Sequence, residues 1–487
     1  MKTLILPLDE RPCNFIYPQM IAASNDTIDL VSPHPFIMGN KKQPGNVTDI
    51  QTFLQKSIVG ADNAVISIDT LVYGGLIPSR LHHTSLEELL KRLEVLKTLK
   101  EINPQAKIYA FNCIMRTPQY NSAEEEPDYY ADHGQNIFRR KYLQDYHARH
   151  GELSQAQAEA LDAIRIPLEY IEDYEIRRDI NQSINLEVLN YLEAGIIDFL
   201  VIPQDDSSPY GYTAISQQAV IAGIKEKGLD LLAMIYPGAD EVALTLLARA
   251  YNDFVGQTPA IYPFYASVLG PTIIPKYEDR PMFESLKSHI RATGSRLVHS
   301  PDHADFILAI NSPGKFMEET YDETLDITHN TYRNVLDFSL TIADYLAAGH
   351  KVALCDSALC NGGDIEIIQY LDQLGVLQHL TSYAGWNTNC NTLGTTLAQA
   401  IIGNTEEGRL SNLTFRVIED VLYQAKVRHE IEAEHDFVPE IAALCKTRLQ
   451  EAYDRLNIAQ AHPVTIEAIT HPWGRYFEIG MKLAYKN

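Results

Sequence analysis

Ten short runs of almost continuous apolar residues alternate with long amphipathic stretches, and this pattern restricts the fold more than any other feature of the chain. The runs are Leu4–Leu8, Ile28–Val31, Ala64–Ile68, Lys107–Phe111, Phe199–Ile202, Leu231–Ile235, Ala260–Phe264, Phe306–Ile310, Lys351–Leu354 and Leu380–Tyr383. Several are apolar at every residue, not at alternate ones, which suits strands covered on both faces, as in parallel sheets. The intervening stretches have helical period. Ser85–Ile102 opens on a capping residue with Glu87 and Glu88 behind it. Asn185–Ala194, Ile215–Lys227 and Val242–Asp253 have the same spacing. Such alternation predicts an α/β protein of mainly parallel strands. We read it as a (β/α)-barrel-like catalytic core over about residues 1–410, with two doubly wound α/β domains, or one open doubly wound sheet, as the alternative. Ten strands exceed the eight of a closed barrel, so some lie outside it or form hairpins.

Two segments break the rhythm. Residues 121–184 are rich in charge and Tyr and read as a helical insertion, a candidate lid. Beyond about Ser411, helices around Glu419–Glu434 and Glu440–Leu456 precede a tail with Val464–Ala468 and Pro472–Leu483, giving a mostly helical extension over 411–487. No internal repeat or low-complexity tract stands out.

The net charge of −24, from 64 acidic and 40 basic residues, repels nucleic acid and anionic membranes. The partners expected are neutral or cationic small molecules, or polar ones such as sugars; the oligomeric state is left open. Cys13, Cys113, Cys355, Cys360, Cys390 and Cys445 form no CxxC pair and are expected reduced and mostly buried. Leu4–Leu8 is broken by Pro7 and followed by Asp9-Glu10-Arg11, too short for a signal-peptide core, and no run approaches 18 apolar residues. A cytoplasmic protein is the expectation.

The strand candidates end in unusual polar residues. After the first come Asp9 and Arg11; after the third Asp69 and Arg80; after the fourth Asn112 and Arg116; after the fifth Asp205 and Asp206; after the sixth Asp240 and Glu241. Later runs give Asn311, Asp356 and the set Trp386, Asn387 and Asn391. In parallel α/β folds the carboxyl ends of the strands share one side, where ligands bind. These residues, scattered in sequence, are therefore expected to converge.

Asp205-Asp206 is the sharpest signal. Adjacent carboxylates repel, which raises one pKa and leaves one acid beside one base or charge stabiliser. The competing role is structural, one Asp capping the next helix and the other solvated. Asp240-Glu241 fits a helix start equally well. Asp9 and Arg11 are near enough in sequence for a local salt bridge, and Arg80 or Arg116 suits a substrate anion or the site's own acids. Trp386 with Asn387 and Asn391 reads as a sugar subsite or as core and turn. His34, His82, His83, His133, His147 and His150 lack metal-ligand spacing, and no GxGxxG, GxxxxGK[ST] or GxSxG motif occurs. No cofactor is expected, although oxygen ligands from Asp9, Asp69, Asp205 and Asp240 would suit a hard cation.

Taken together, Pro7-Leu-Asp-Glu-Arg-Pro12, Asp69 with Tyr73-Gly-Gly-Leu-Ile-Pro-Ser-Arg80, Asp205-Asp-Ser, Pro237-Gly-Ala-Asp-Glu241, Gly385-Trp-Asn-Thr388 with Asn391-Thr-Leu-Gly394, and Pro472-Trp-Gly-Arg475 resemble the motifs of a large bacterial family known as a domain of unknown function. The resemblance covers essentially the whole chain. It implies one integrated unit, and it carries no activity. Asp179, preceding Asn181, departs from the Asn-rich stretch expected after Tyr174–Arg178.

The residues themselves point first to a glycoside hydrolase, with N-acetylated sugars as candidate substrates. Asp206 is the expected general acid and Asp205 the acetamide-orienting or charge-stabilising partner, or the reverse. Asp9, Arg11, Asp69, Arg80, Asn112, Arg116, Asp240, Glu241, Trp386, Asn387 and Asn391 are the expected substrate-binding residues. A metal-dependent hydrolase or lyase on the same carboxylates is the second reading, and a non-catalytic sugar or metabolite binder the third.

Overall fold

The computed structural model describes residues 1–485. The chain divides into two compact units, one of Met1–Glu10, Asp29–Ala243 and Tyr277–Asp279, the other of Arg11–Ile28, Leu244–Lys276 and Arg280–Asn487.

The first unit is built on six strands: β1 (Lys2–Leu6), β2 (Asp29–Val31), β3 (Asn63–Ser67), β4 (Lys107–Phe111), β5 (Phe199–Gln204) and β6 (Ala233–Pro237). They pair in the order β2-β1-β3-β4-β5-β6, every pair parallel. All residues of β3 and β5 are buried, as continuous apolar runs require. β6 starts later than its apolar run because Leu231 and Leu232 are exposed.

The second unit has β7 (Ala260–Tyr265), β8 (Arg296–Leu297), β9 (Phe306–Asn311), β10 (Val352–Asp356) and β11 (Ser382–Ala384), paired in parallel in the order β8-β7-β9-β10-β11. β8 escapes a sequence search because it is two residues long and Arg296 is exposed.

Mixed α/β with mainly parallel strands is therefore the architecture, as expected. These eleven strands are shared between two sheets, each a linear order with two end strands among the described residues, which is the form of the two-domain alternative; three two-stranded sheets lie outside them. Counted within its own unit, each sheet runs 2-1-3-4-5, and the first adds a sixth strand. In this doubly wound order, ligands bind beyond the carboxyl ends of the strands, where the winding reverses between the first and third strands.

Local signals place the helices that matter for the site. Ser85 caps Leu86–Leu93, accepting from Glu88 N at 3.3 Å, and Val95–Ile102 follows as a separate helix. The insertion forms Tyr130–His150, Gln155–Ala163 and the first part of Leu168–Glu193, one 26-residue helix that also takes up the stretch from Asn185. Residues 411–485 are integral to the second unit: Leu413, Tyr423, Cys445 and Ile466 share one apolar cluster with Ile307 and Leu354. Within it, Glu406–Arg416 is α-helical, Val417–Val427 is π-helical and Arg428–Glu434 is α-helical again. Among the described residues no helix is long and apolar enough to cross a membrane. All six cysteines are buried, and none is in a disulfide.

Candidate functional site

The predicted site residues fall into two groups, one in each unit. Asp9, Asp69, Arg80, Asn112, Arg116, Asp205, Asp206, Asp240 and Glu241 belong to the first; Arg11, Trp386, Asn387 and Asn391 belong to the second.

In the first unit the loop after β1 is fixed by Thr70, whose Oγ1 donates to the carbonyls of Pro7 and Leu8 at 2.7 Å each. Asp9 is buried in that loop and Asp69 opens the helix after β3. Both therefore stand at the point where the winding reverses. Asp69 accepts from Cys113 N (2.9 Å) and Asn112 Nδ2 (3.3 Å), and Asn112 Oδ1 in turn accepts from Asn185 Nδ2 (2.7 Å). Burial pushes the Asp69 carboxyl up to about 6, against these donors. Burial also raises the Cys113 thiol; the charges of Asp69, Asp205 and Asp240 add to that rise and Arg80 opposes it.

Six side chains form the centre of the site. Arg80 donates to Asp205 (2.6 Å), Glu125 (3.2 Å) and Glu126 (3.2 Å). Arg116 donates to Glu126 (2.8 Å), Glu125 (2.9 Å) and Asp206 (3.4 Å). Two guanidiniums thus hold four carboxylates. Burial pushes the Asp206 carboxyl up to about 7; Arg116 pulls it down and the Asp205 charge adds to the rise. The backbone of Asp206 is left-handed, at φ 44°. That region costs most residues of order 1 kcal/mol and is easiest for Gly, Asn and Asp. Tyr277 (φ 66°) accepts from Ser207 N at 2.9 Å and helps to hold this turn.

Glu125 and Glu126 do not appear in the sequence reading. The Glu124-Glu125-Glu126-Pro127 run lies in the charged insertion and looks like a solvated loop; only its closeness in sequence to Arg116 hints at a partner. Glu241 plays a local part: its carboxylate accepts from Ala239 N at 3.1 Å, and a Cβ at Gly238 would lie 2.3 Å from its Oε1, so Gly238 (φ 146°) lets the turn close.

Arg11, Trp386 and Asn387 line a cavity of about 20 Å³ in the second unit, together with Tyr17, Asn361 and Glu419. That volume is about the room of one water. Trp386 is buried, packs edge-to-face on Tyr17 at 5.5 Å and donates from Nε1 to Thr395 Oγ1 at 3.1 Å. Asn387 (φ 51°) gives its carbonyl to Asn361 N at 2.8 Å. Asn391 lies in the first turn of Asn389–Ile402, capped by Thr388. Tyr17 donates to Glu419 at 2.5 Å, and Arg416 meets both Glu419 and, at 3.2 Å, Asp420. Burial raises Glu419 and takes Asp420 up to about 8. In the sequence this trio looks like a surface salt-bridge face at helical spacing.

A further buried network sits at the ends of β9 and β10. Arg333 donates to Asp364 (2.7 Å) and Asn311 (2.9 Å), and Asn311 donates to Asp356 (2.8 Å). Tyr383 also donates to Asp356, at 2.9 Å. Burial, then the charge of Asp364, takes Asp356 up to about 7. A Cβ on Gly363 would lie 2.2 Å from Tyr383 Oη. Gly363→Ala is expected to cost about 1–3 kcal/mol in urea unfolding. Tyr383→Phe in the same chain should recover part of that loss; equal losses in the single and double variants would refute the clash.

Among the described residues, no three His, Cys, Asp or Glu side chains are arranged to hold a metal ion.

Residues 3–482 match the family described as "Protein of unknown function (DUF4127)". The chain belongs to this family. The match covers both units, in line with the whole-chain resemblance of the motifs. A search of curated proteins finds no match.

Proposed function

We propose that this protein of the DUF4127 family is a glycoside hydrolase of the paired-carboxyl type, with Asp206 as general acid and Asp205 as its charged partner. One observation carries the reading. Adjacent carboxyls sit in different surroundings within one network, Asp205 paired with Arg80 at 2.6 Å and Asp206 pushed up to about 7. Neighbouring titratable groups driven apart by their environments take the acid and the base or stabiliser roles.

In this reading Asp206 gives its proton to the glycosidic oxygen as the bond to the anomeric carbon breaks. The Asp205 carboxylate stabilises the positive charge that develops there, or orients the acetamide of an N-acetylated sugar; water then bonds to the anomeric carbon and its proton returns to the Asp206 carboxylate. Asp69 and Asn112, hydrogen-bonded to each other, line the sugar site. Arg80 and Arg116 hold both acids at fixed positions, which spares reorganisation during the reaction. Six buried cysteines with no disulfide among them fit a reducing compartment such as the cytoplasm.

Assays of aryl glycosides, the N-acetylglucosaminide included, test the reading. Turnover by the wild type of at least one glycoside whose leaving group needs protonation, lost in Asp206→Asn, supports it; turnover of that same glycoside that survives in Asp206→Asn sinks it. EDTA is expected to leave the rate unchanged. A rate lost to EDTA and restored by Mg²⁺ or Mn²⁺ would favour a metal-dependent hydrolase or lyase instead.

A further inference from the structure

We propose that the ligand recognised at the Asp205–Asp206 site carries a free ammonium group, as in an amino sugar. The sugar part rests on the hydrolase reading; the ammonium rests on how the site distributes its charges.

The two cations are at the back. The side chains of Arg80 and Arg116 are 1% and 11% exposed, against 19% for Asp205, 17% for Asp206 and 16% for Glu125. An incoming ligand therefore meets carboxylates before it meets a guanidinium.

Acceptors also outnumber donors. Each of the four carboxylates gives one oxygen to the arginines: Asp205 Oδ2, Asp206 Oδ2, Glu125 Oε2 and Glu126 Oε1. Asp205 Oδ1 accepts nothing from the described residues, and neither does Asp206 Oδ1, the oxygen left to carry the acid's proton. Glu126, 1% exposed, keeps Oε2 buried with no hydrogen-bond partner. A buried carboxylate oxygen without a donor is costly.

An ammonium supplies three donors and a positive charge. A neutral hydroxyl supplies one donor and no charge. An acetamide supplies one N–H and brings another acceptor. A uronate or phosphorylated sugar would meet like charge. The net charge of −24 acts in the same direction at long range, drawing cations and repelling anions.

Calorimetric titration with glucosamine, glucose, N-acetylglucosamine and glucuronate separates these cases. At about pH 7, where a primary ammonium is charged, glucosamine is expected to bind about tenfold more tightly than glucose, with glucuronate weakest. Added salt should narrow the difference. Glu125→Gln, which removes one of the three part-exposed acids, should narrow it as well; Asp205→Asn serves if that variant does not fold. The proposal is overturned if N-acetylglucosamine or glucose binds as tightly as glucosamine, if glucosamine does not bind, or if the folded variants keep the full difference. Calorimetry reads binding, not turnover. Hydrolysis of a glycoside whose leaving group needs protonation, if it survives in Asp206→Asn, would remove the hydrolase reading and leave ammonium selectivity to stand on the titrations. Turnover of N-acetylated glycosides with no preference for glucosamine would do the opposite.

Discussion

Asp206→Asn is expected to lower kcat/KM for glycoside hydrolysis about 10²–10⁴-fold, the usual contribution of a positioned general acid. The Asn variant suits the test because residue 206 has φ 44°, a conformation that Asn tolerates about as well as Asp. Its amide also keeps the size of the carboxyl, so the turn through Ser207 and Tyr277 should persist. Loss of a proton donor then differs from loss of shape by the choice of leaving group. An aryl glycoside whose leaving group needs no protonation should regain most of the rate in the variant, and a merely structural loss would be the same for every leaving group. The pH profile has a definite sign. The acid works protonated, and burial takes it up to about 7, so kcat/KM should fall as pH rises through about 7. Arg116 opposes that rise from 3.4 Å, so Arg116→Gln should move the alkaline limb to higher pH. An alkaline limb that stays in place when Asp206 is replaced would show that another group titrates there.

Much of the fold is legible in the sequence because burial on both faces of a parallel sheet leaves an uninterrupted apolar run. All ten runs overlap observed strands, from Leu4–Leu8 over β1 to Leu380–Tyr383 over β11. Their division between two sheets is not legible. A run such as Phe199–Ile202 records that it is covered, not which strand lies beside it, and the repeated 2-1-3-4-5 order has no counterpart in sequence repeats. The site shows the same divide. Strand-end residues of one unit pair directly: Asp69 with Asn112, Arg80 with Asp205 and Arg116 with Asp206. Glu125 and Glu126 stay hidden, because an acidic run in a helical insertion has the composition of solvated surface and acquires its role only when two arginines reach it. Asp364 is hidden for another reason. It looks like a simple cap, and it is one, accepting from Glu366 N at 2.9 Å, but the same carboxylate also anchors Arg333.

That double role makes Arg333 the position where a single substitution should cost the second unit most. Its guanidinium joins Asn311 at the end of β9, Asp364 at the start of Ile365–Gln373 and the His329 carbonyl at 2.9 Å. Burial alone would raise Asp364; Arg333 outweighs it and holds the carboxyl below its usual range. Arg333→Met leaves that carboxylate buried without its cation, and breaking a buried pair in this way costs about 3–5 kcal/mol. Such a loss is a large share of the 5–15 kcal/mol that typically holds a protein folded. The pH dependence follows from the direction of the shift. A depressed folded pKa contributes stability above the unfolded value of about 3.9 that is lost as pH falls through the folded one. Without Arg333 the folded pKa rises, so the carboxyl takes up a proton and the deficit shrinks as pH falls. Urea unfolding of the variant should therefore show a larger deficit at about pH 8 than at about pH 5. Asp364→Asn keeps the cap, since Asn is an equally good cap residue, and removes the charge. In the Arg333→Met background it should recover part of the loss, with a coupling of about 0.5–3 kcal/mol in the double-mutant cycle. Additive losses, or a deficit equal at both pH values, would mean that Arg333 acts through its packing and not through its charge.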